Sequence, residues 1–274
     1  MSPVPSLQMN DGRAIPQLGF GVWQVPDDVV TDATLAAFEC GYRHVDTAAL
    51  YYNEGGVGRA IAASGLPRDE LFVTTKVWNT DHGYDKTMAA MDKSLGLLGL
   101  DYVDLYLIHW PSPATGDYVD TWRAVLALQE QGKTVSVGVS NFHVPHLRRI
   151  IDELGVLPVL DQVELHPWLP QSEVRAFNAQ HGILTEAWSP LASGGLLDEP
   201  SLAQIGAKYG KTPAQVMIRW HLEIGNVVLP KSVTPERIRQ NIEVFDFGLD
   251  EEDFAVIAAL ASGKRTGPNP DEFM

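Results

Sequence analysis

Cysteine is almost missing from this chain. Cys40 is the only one in 274 residues, so no internal disulfide can form and a reducing, cytoplasmic compartment is expected. Long apolar runs are missing too. None reaches 18 residues, and the opening MSPVPSLQMNDGRAIPQLG lacks the hydrophobic stretch of a secretion signal, so neither a membrane span nor a signal peptide is expected. Positive charge is scarce. Twenty Lys and Arg face 35 Asp and Glu, a net −15, which argues against nucleic acid and anionic membranes as partners. A small anionic ligand would therefore need a local basic site. The GxGxxG fingerprint is absent, so a Rossmann-type cofactor site is not indicated. A metal-dependent barrel hydrolase using His44, His109 and His166 is a weak alternative, because no His-x-His pair occurs; no metal is expected.

Short apolar runs alternate with stretches of helical spacing. The runs expected as strands are 19–23, 42–46, 71–78, 102–110, 134–142, 159–165, 183–188 and 226–230. Helical spacing follows in 32–40, 87–98, 119–132 and 212–225, the last with Thr212 as N-cap, Pro213 in the first turn and Gly225 as the stop. Several runs are apolar on both faces, as in a parallel sheet covered by helices. Eight such units predict an α/β fold, a (β/α)8 TIM barrel spanning 1–274 as one domain. Residues 4–17, with the Asn10-Asp11-Gly12 turn, predict an N-terminal β-hairpin that caps the bottom.

In such a barrel the active site lies where the strands end. Asp46, Lys76 and His109 fall at the ends of the second, third and fourth strands, one βα unit apart. Taken singly, each has a plainer explanation as a turn former or a core residue. Lys76 is the hardest to dismiss, because an ammonium inside FVTTKVW needs a partner, and Asp46 on the adjacent strand supplies one. A nearby tyrosine would complete a carbonyl-protonating site: the ammonium stabilises the phenolate and so lowers the phenol pKa, while a histidine orients the carbonyl. DTAALYYNE (46–54) offers both Tyr51 and Tyr52, and spacing alone does not separate them. None of these side chains delivers a hydride, so reduction would require a cofactor. PKSVTPERIRQN (230–241) offers a seat: Thr234 and Pro235 start a helix, and Arg237 and Arg239 stand where acids are normally favoured. Ser140, Asn141, Gln162 and Trp188 recur at later strand ends and could hold an amide-bearing ring. Trp23, Trp78 and Trp110 could wall a substrate pocket.

Through GYRHVDTAALYYNE, TTKVW, DLYLIHWP, GVSNF, QVELHP and PKSVTPERIRQN, the chain resembles the aldo-keto reductases across nearly its whole length, and most of all the bacterial branch that includes the 2,5-diketo-D-gluconate reductases. The resemblance implies a barrel that reduces aldehydes and ketones with NADPH, usually as a monomer, and with NADH more weakly. It implies Tyr51 as proton donor with Asp46, Lys76 and His109. It implies Ser140, Asn141 and Gln162 on the nicotinamide carboxamide and Trp188 against its ring. Ser189 and Leu191 would follow the pyrophosphate; Leu229, Lys231, Ser232, Val233, Arg237, Gln240 and Asn241 would hold the adenosine end. Trp188 stands where many relatives carry tyrosine, and Thr234 where some carry arginine, leaving Lys231 and Arg237 for the 2′-phosphate. The short loop 192–200 implies an open cofactor cleft, and the tail (262–274) a wall of the substrate pocket. The expected substrates are small dicarbonyls such as methylglyoxal and diketo sugars. The alternative is an NADPH-binding sensor on the same fold with little turnover.

Overall fold

The computed structural model describes residues 4–273. The chain opens with an antiparallel hairpin, β1 (Ser6–Gln8) and β2 (Ala14–Pro16), in which Leu7 faces Ile15. Its turn is the expected one: Gly12, at φ 83°, donates to Met9 O, and Asp11 accepts from Ser136 Oγ at 2.6 Å. Eight parallel strands follow: β3 (Phe20–Gly21), β4 (His44–Asp46), β5 (Phe72–Val77), β6 (Val103–Ile108), β7 (Thr134–Ser140), β8 (Leu160–Glu164), β9 (Leu184–Trp188) and β10 (Val227–Val228). They pair in sequence order from β3 to β10, and a parallel bridge from Leu18 to Val228 joins the two ends into a barrel. All eight expected strands are present, each trimmed by a residue or more at one or both ends.

Each strand hands on to helices: α1 (Asp27–Glu39), α2 (Glu54–Ser64), α3 (Tyr84–Leu98), α4 (Tyr118–Glu130), α5 (Val144–Leu154) and α6 (Ser172–Gln180), then α7 (Pro200–Tyr209) with α8 (Pro213–Glu223), and finally α9 (Pro235–Ile242) with α10 (Glu251–Ala258). Helix α8 begins as expected: Thr212 and Gln215 form a reciprocal capping box, with Pro213 in the first turn. Helix α1 begins five residues before the expected 32. Asp27 and Asp28 occupy its first turn, where acids suit the dipole, and Asp27 also binds Gly56 N and Arg59.

Every residue of β4, β5 and β8 is buried, because one face meets the helices and the other lines the barrel. The outer layer carries the large core, with Val73, Val77, Tyr106, Val139 and Trp122 among its members. The barrel interior splits by height. Its lower half is apolar, filled by Phe72, Leu105, Leu107, Leu160 and Val227 and closed from below by Met9 and Ile15 of the hairpin. Gly138 makes room there, since a Cβ would meet Leu160 O at 2.7 Å and Leu107 Cδ2 at 2.8 Å. Above this plug the inward side chains turn polar, and the site begins.

Candidate active site

Lys76 stands at the centre, fully buried near the end of β5. Its ammonium donates to Asp46 Oδ1 at 2.6 Å, to Thr47 O at 2.9 Å and to the Tyr51 hydroxyl at 3.5 Å. Three acceptors match the three N–H bonds of an ammonium, which is what lets a lysine remain buried. Tyr51 ends a short 3₁₀ turn (Ala49–Tyr51) after β4. That loop is pinned by Asn53, whose amide donates to Val22 O and Val25 O at 2.9 Å and accepts from Thr47 Oγ1 at 2.8 Å. His109 leaves β6 with its ring 5.5 Å from that of Tyr51 and 5.1 Å from that of Trp78.

Tyr52 is separated from its neighbour by geometry. It caps the 3₁₀ turn in the left-handed region, φ 55° and ψ 29°, and 82% of its surface is exposed. An aromatic residue in that conformation carries roughly 1–2 kcal/mol of strain. Tyr52→Gly should therefore be at least as stable as the native chain, and Tyr52→Val, with its β-branched side chain, less stable than either. Urea unfolding midpoints check the order; a Val variant as stable as the Gly variant would contradict it.

The electrostatics follow from burial. Desolvation pushes the Tyr51 phenol up to about 12, and the Lys76 ammonium only partly opposes it. In the protein without ligands the phenol is thus not more acidic than free tyrosine, contrary to the expected lowering. It stays protonated across the physiological range. His109 is pushed well below its ordinary value by burial and then by Lys76, so it is a neutral imidazole. Burial works against the Lys76 charge, but Asp46 and Tyr51 hold its pKa up.

Asp46, Tyr51 and His109 open onto a cavity of about 680 Å³, with Lys76 behind them. The residues that the resemblance assigns to the cofactor, and Trp23, Trp78 and Trp110, lie on its wall, joined from the tail by Thr266, Gly267, Pro268 and Phe273. Asn141, at φ 63°, accepts from Trp188 Nε1 at 2.8 Å and donates to His109 O at 2.9 Å, which ties the indole to the histidine strand. Gln162 commits its amide nitrogen to Asp46 Oδ2 at 2.8 Å and to Glu186 Oε2 at 2.7 Å. Its carbonyl oxygen is the atom left for a ligand. At the far end, Lys231 and Arg237 flank the start of α9. Arg239 is not among them. It pairs with Glu236 three residues earlier, so the expected second arginine of this seat is spent within the helix. Thr234 is the N-cap residue, but its hydroxyl makes no capping bond; Ser232 Oγ instead accepts from Thr234 N at 3.1 Å.

The tail crosses the mouth. Buried Glu164 accepts from Thr266 Oγ1 at 2.7 Å and from Gly267 N at 3.2 Å. Gly267 lies so close to the Trp188 ring that a Cβ would stand 2.4 Å from it. His143 meets Asp271 at 2.8 Å, and Phe273 rests 4.5 Å from the Trp110 ring. Met274, the last residue of the expected pocket wall, lies outside the described residues. Two acids here, Glu164 and Glu186, are absent from the expected site. Glu186 carries the same signal as Lys76, an ionisable residue inside an apolar strand. The three histidines of the hydrolase alternative do not converge: His44 pairs with Thr74 below the site, and His166 with Glu164. Among the described residues no group of three or more potential ligands could hold a metal ion, and no helix is long and apolar enough to cross a membrane.

The family model for the aldo/keto reductase family matches residues 17–262. An "Aldo-keto reductase" of Mycolicibacterium smegmatis (strain ATCC 700084 / mc(2)155) is 54% identical over 269 residues, 98% of each chain. The "Methylglyoxal reductase DkgA" of Escherichia coli (strain K12) is 51% identical over 97% of each. The solved structure of a Gox0644 point mutant in complex with NADPH is 44% identical and superposes with a TM-score of 0.96 over 100% of both chains.

Proposed function

This chain belongs to the aldo/keto reductase family, and we propose that it reduces small aldehydes, ketones and dicarbonyls such as methylglyoxal with NADPH, Tyr51 giving the proton. One observation carries this reading: a buried ammonium lies 2.6 Å from Asp46 and 3.5 Å from the Tyr51 hydroxyl, beside a neutral histidine, at the base of a large cavity.

The cavity fits the cofactor. It is of ligand-binding size and runs from the Trp188 ring face and the free Gln162 oxygen to two cations beside a helix start. Ser140, Asn141 and Gln162 would meet the carboxamide and Trp188 the ring; Ser189 and Leu191 would follow the pyrophosphate. Leu229, Ser232, Val233, Gln240 and Asn241 would line the adenosine, and Lys231 and Arg237 would take the 2′-phosphate. When bound, NADPH supplies the hydride.

The remaining work falls to the protein. Neutral His109 and the Tyr51 hydroxyl hold the carbonyl oxygen from two sides. As negative charge gathers on that oxygen, Tyr51 passes its proton across. A phenol near pKa 12 is still a far stronger acid than an alcohol, so the transfer runs downhill. Lys76, held in place by Asp46, then stabilises the phenolate until a proton returns from solvent. His109 cannot be the acid, because it carries no spare proton at neutral pH. Trp23, Trp78, Trp110 and Phe273 exclude water around the substrate. The lone Cys40 fits a reducing compartment such as the cytoplasm, and a monomer is the state proposed.

Loss of NADPH absorbance with methylglyoxal and a diketone panel tests this. Cofactor binding without turnover across the panel would favour the sensor instead. Arg237→Ala should weaken NADPH binding about 10-fold or more, the worth of one charge-assisted contact, and leave the weaker binding of NADH almost unchanged. Fluorescence titration with both cofactors reads the difference; equal losses would remove Arg237 from the 2′-phosphate.

A further inference from the structure

Glu186 lies at the middle of β9, fully buried, with its carboxyl bonded to Gln162. Gln162 Nε2 donates to Glu186 Oε2 at 2.7 Å and to Asp46 Oδ2 at 2.8 Å. One amide therefore spaces two carboxyl groups, and a single ammonium, Lys76, serves both. Among the described residues no other cation pairs with them. On β4, His44 Nε2 is 3.9 Å from Glu186 Oε1, but burial pushes this histidine down to about 3 and keeps it neutral. On β10, Val227 faces Glu186 in register and is apolar. On β8, Glu164 is turned to the tail and bound there by Thr266 and Gly267. Glu186 Oε1 has no hydrogen-bond partner among the described residues. Two carboxylates and one ammonium would leave a net negative charge in a dry site, a costly state that one added proton removes.

We propose that Glu186 is a positioning residue that regulates the Tyr51 acid: as a neutral carboxyl it leaves Asp46 alone to balance Lys76, and its ionisation adds a second negative charge that draws on the same ammonium and weakens Tyr51 as a proton donor. This inference rests on Tyr51 being that donor. Burial, and then the charge of Asp46, push Glu186 up to about 8, while the Gln162 bond and Lys76 oppose the shift. The charge of an ionised Glu186 raises the Tyr51 phenol further. Reduction should therefore slow as pH rises through the Glu186 transition, well before Tyr51 itself can lose its proton.

The test is the pH profile of kcat for reduction, with Glu186→Gln beside the native enzyme. The native rate should fall about 10-fold across an alkaline limb, and the limb should move up by about one pH unit or more in Glu186→Gln. Glu186→Met, equally unable to ionise, should move it in the same direction. A readout independent of turnover is the ¹³C carboxyl spectrum of glutamate-labelled protein. A resonance still protonated at neutral pH should be missing from Glu186→Gln. Superimposed profiles, or a missing resonance that titrates in the ordinary carboxylate range, would overturn the proposal, as would loss of NADPH binding in both variants, which would make the role structural. If Tyr51→Phe keeps native turnover, the donor assignment fails first and separately.

Discussion

Tyr51→Phe is expected to lower kcat for methylglyoxal reduction by about 10²- to 10⁴-fold, with NADPH affinity changed by no more than about twofold. The substitution removes one oxygen and leaves the ring, which packs against His109 at 5.5 Å. What disappears is, among the described residues lining the cavity base, the one group that both holds a proton at neutral pH and lies next to a charge able to stabilise its conjugate base. His109 has no spare proton, and Lys76 is fully buried behind the wall with its N–H bonds already committed. The loss should appear in kcat, because a proton-donating hydroxyl would do its work as charge develops on the substrate oxygen. Steady-state kinetics and a fluorescence titration of the same preparation separate the two quantities. A variant that retains a tenth of native turnover would end the case for Tyr51.

Much of this is legible in the sequence, and the rest fails for identifiable reasons. The eight strands can be read because short apolar runs buried on both faces leave few alternatives to a covered parallel sheet. Lys76 can be read because a lysine inside such a run demands a partner, and the next strand offers Asp46. The same reasoning applies to Glu186 in ILTEAW but does not reach it, because strand ends draw attention away from strand middles. Spacing cannot separate Tyr51 from Tyr52; that depends on a 3₁₀ turn that buries one hydroxyl and a left-handed residue that turns the other ring into solvent. Arg239 looks like part of an anion seat until its three-residue offset from Glu236 is taken as an intrahelical pair. The tail contacts, His143 with Asp271 across 128 residues, have no local signature at all.

The second large effect is on stability. Lys76→Met should destabilise the protein by about 3–5 kcal/mol, because it strands Asp46 beside Glu186 with no cation between them. The melting temperature should fall by roughly 6–20 °C for a chain of this size. The cost should grow with pH. Burial already holds the Asp46 carboxyl above its ordinary value against the opposing Lys76 charge, and loss of the ammonium raises it further above the unfolded value. A group shifted in that sense keeps its full stability below the unfolded pKa and loses it as pH rises through the folded one. The double variant Asp46→Asn, Lys76→Met removes the stranded charge and should recover most of the lost stability, since the methionine retains the stem packing and the asparagine still accepts from Gln162. Activity should not return. Turnover should remain at least about 100-fold below native, because the phenolate of Tyr51 has lost the charge that stabilises it. Stability and catalysis therefore part company in the same pair of residues. Melting curves and kcat across the cycle expose the split: a double variant no more stable than Lys76→Met would assign the loss to packing, and one with restored turnover would remove the ammonium from the chemistry.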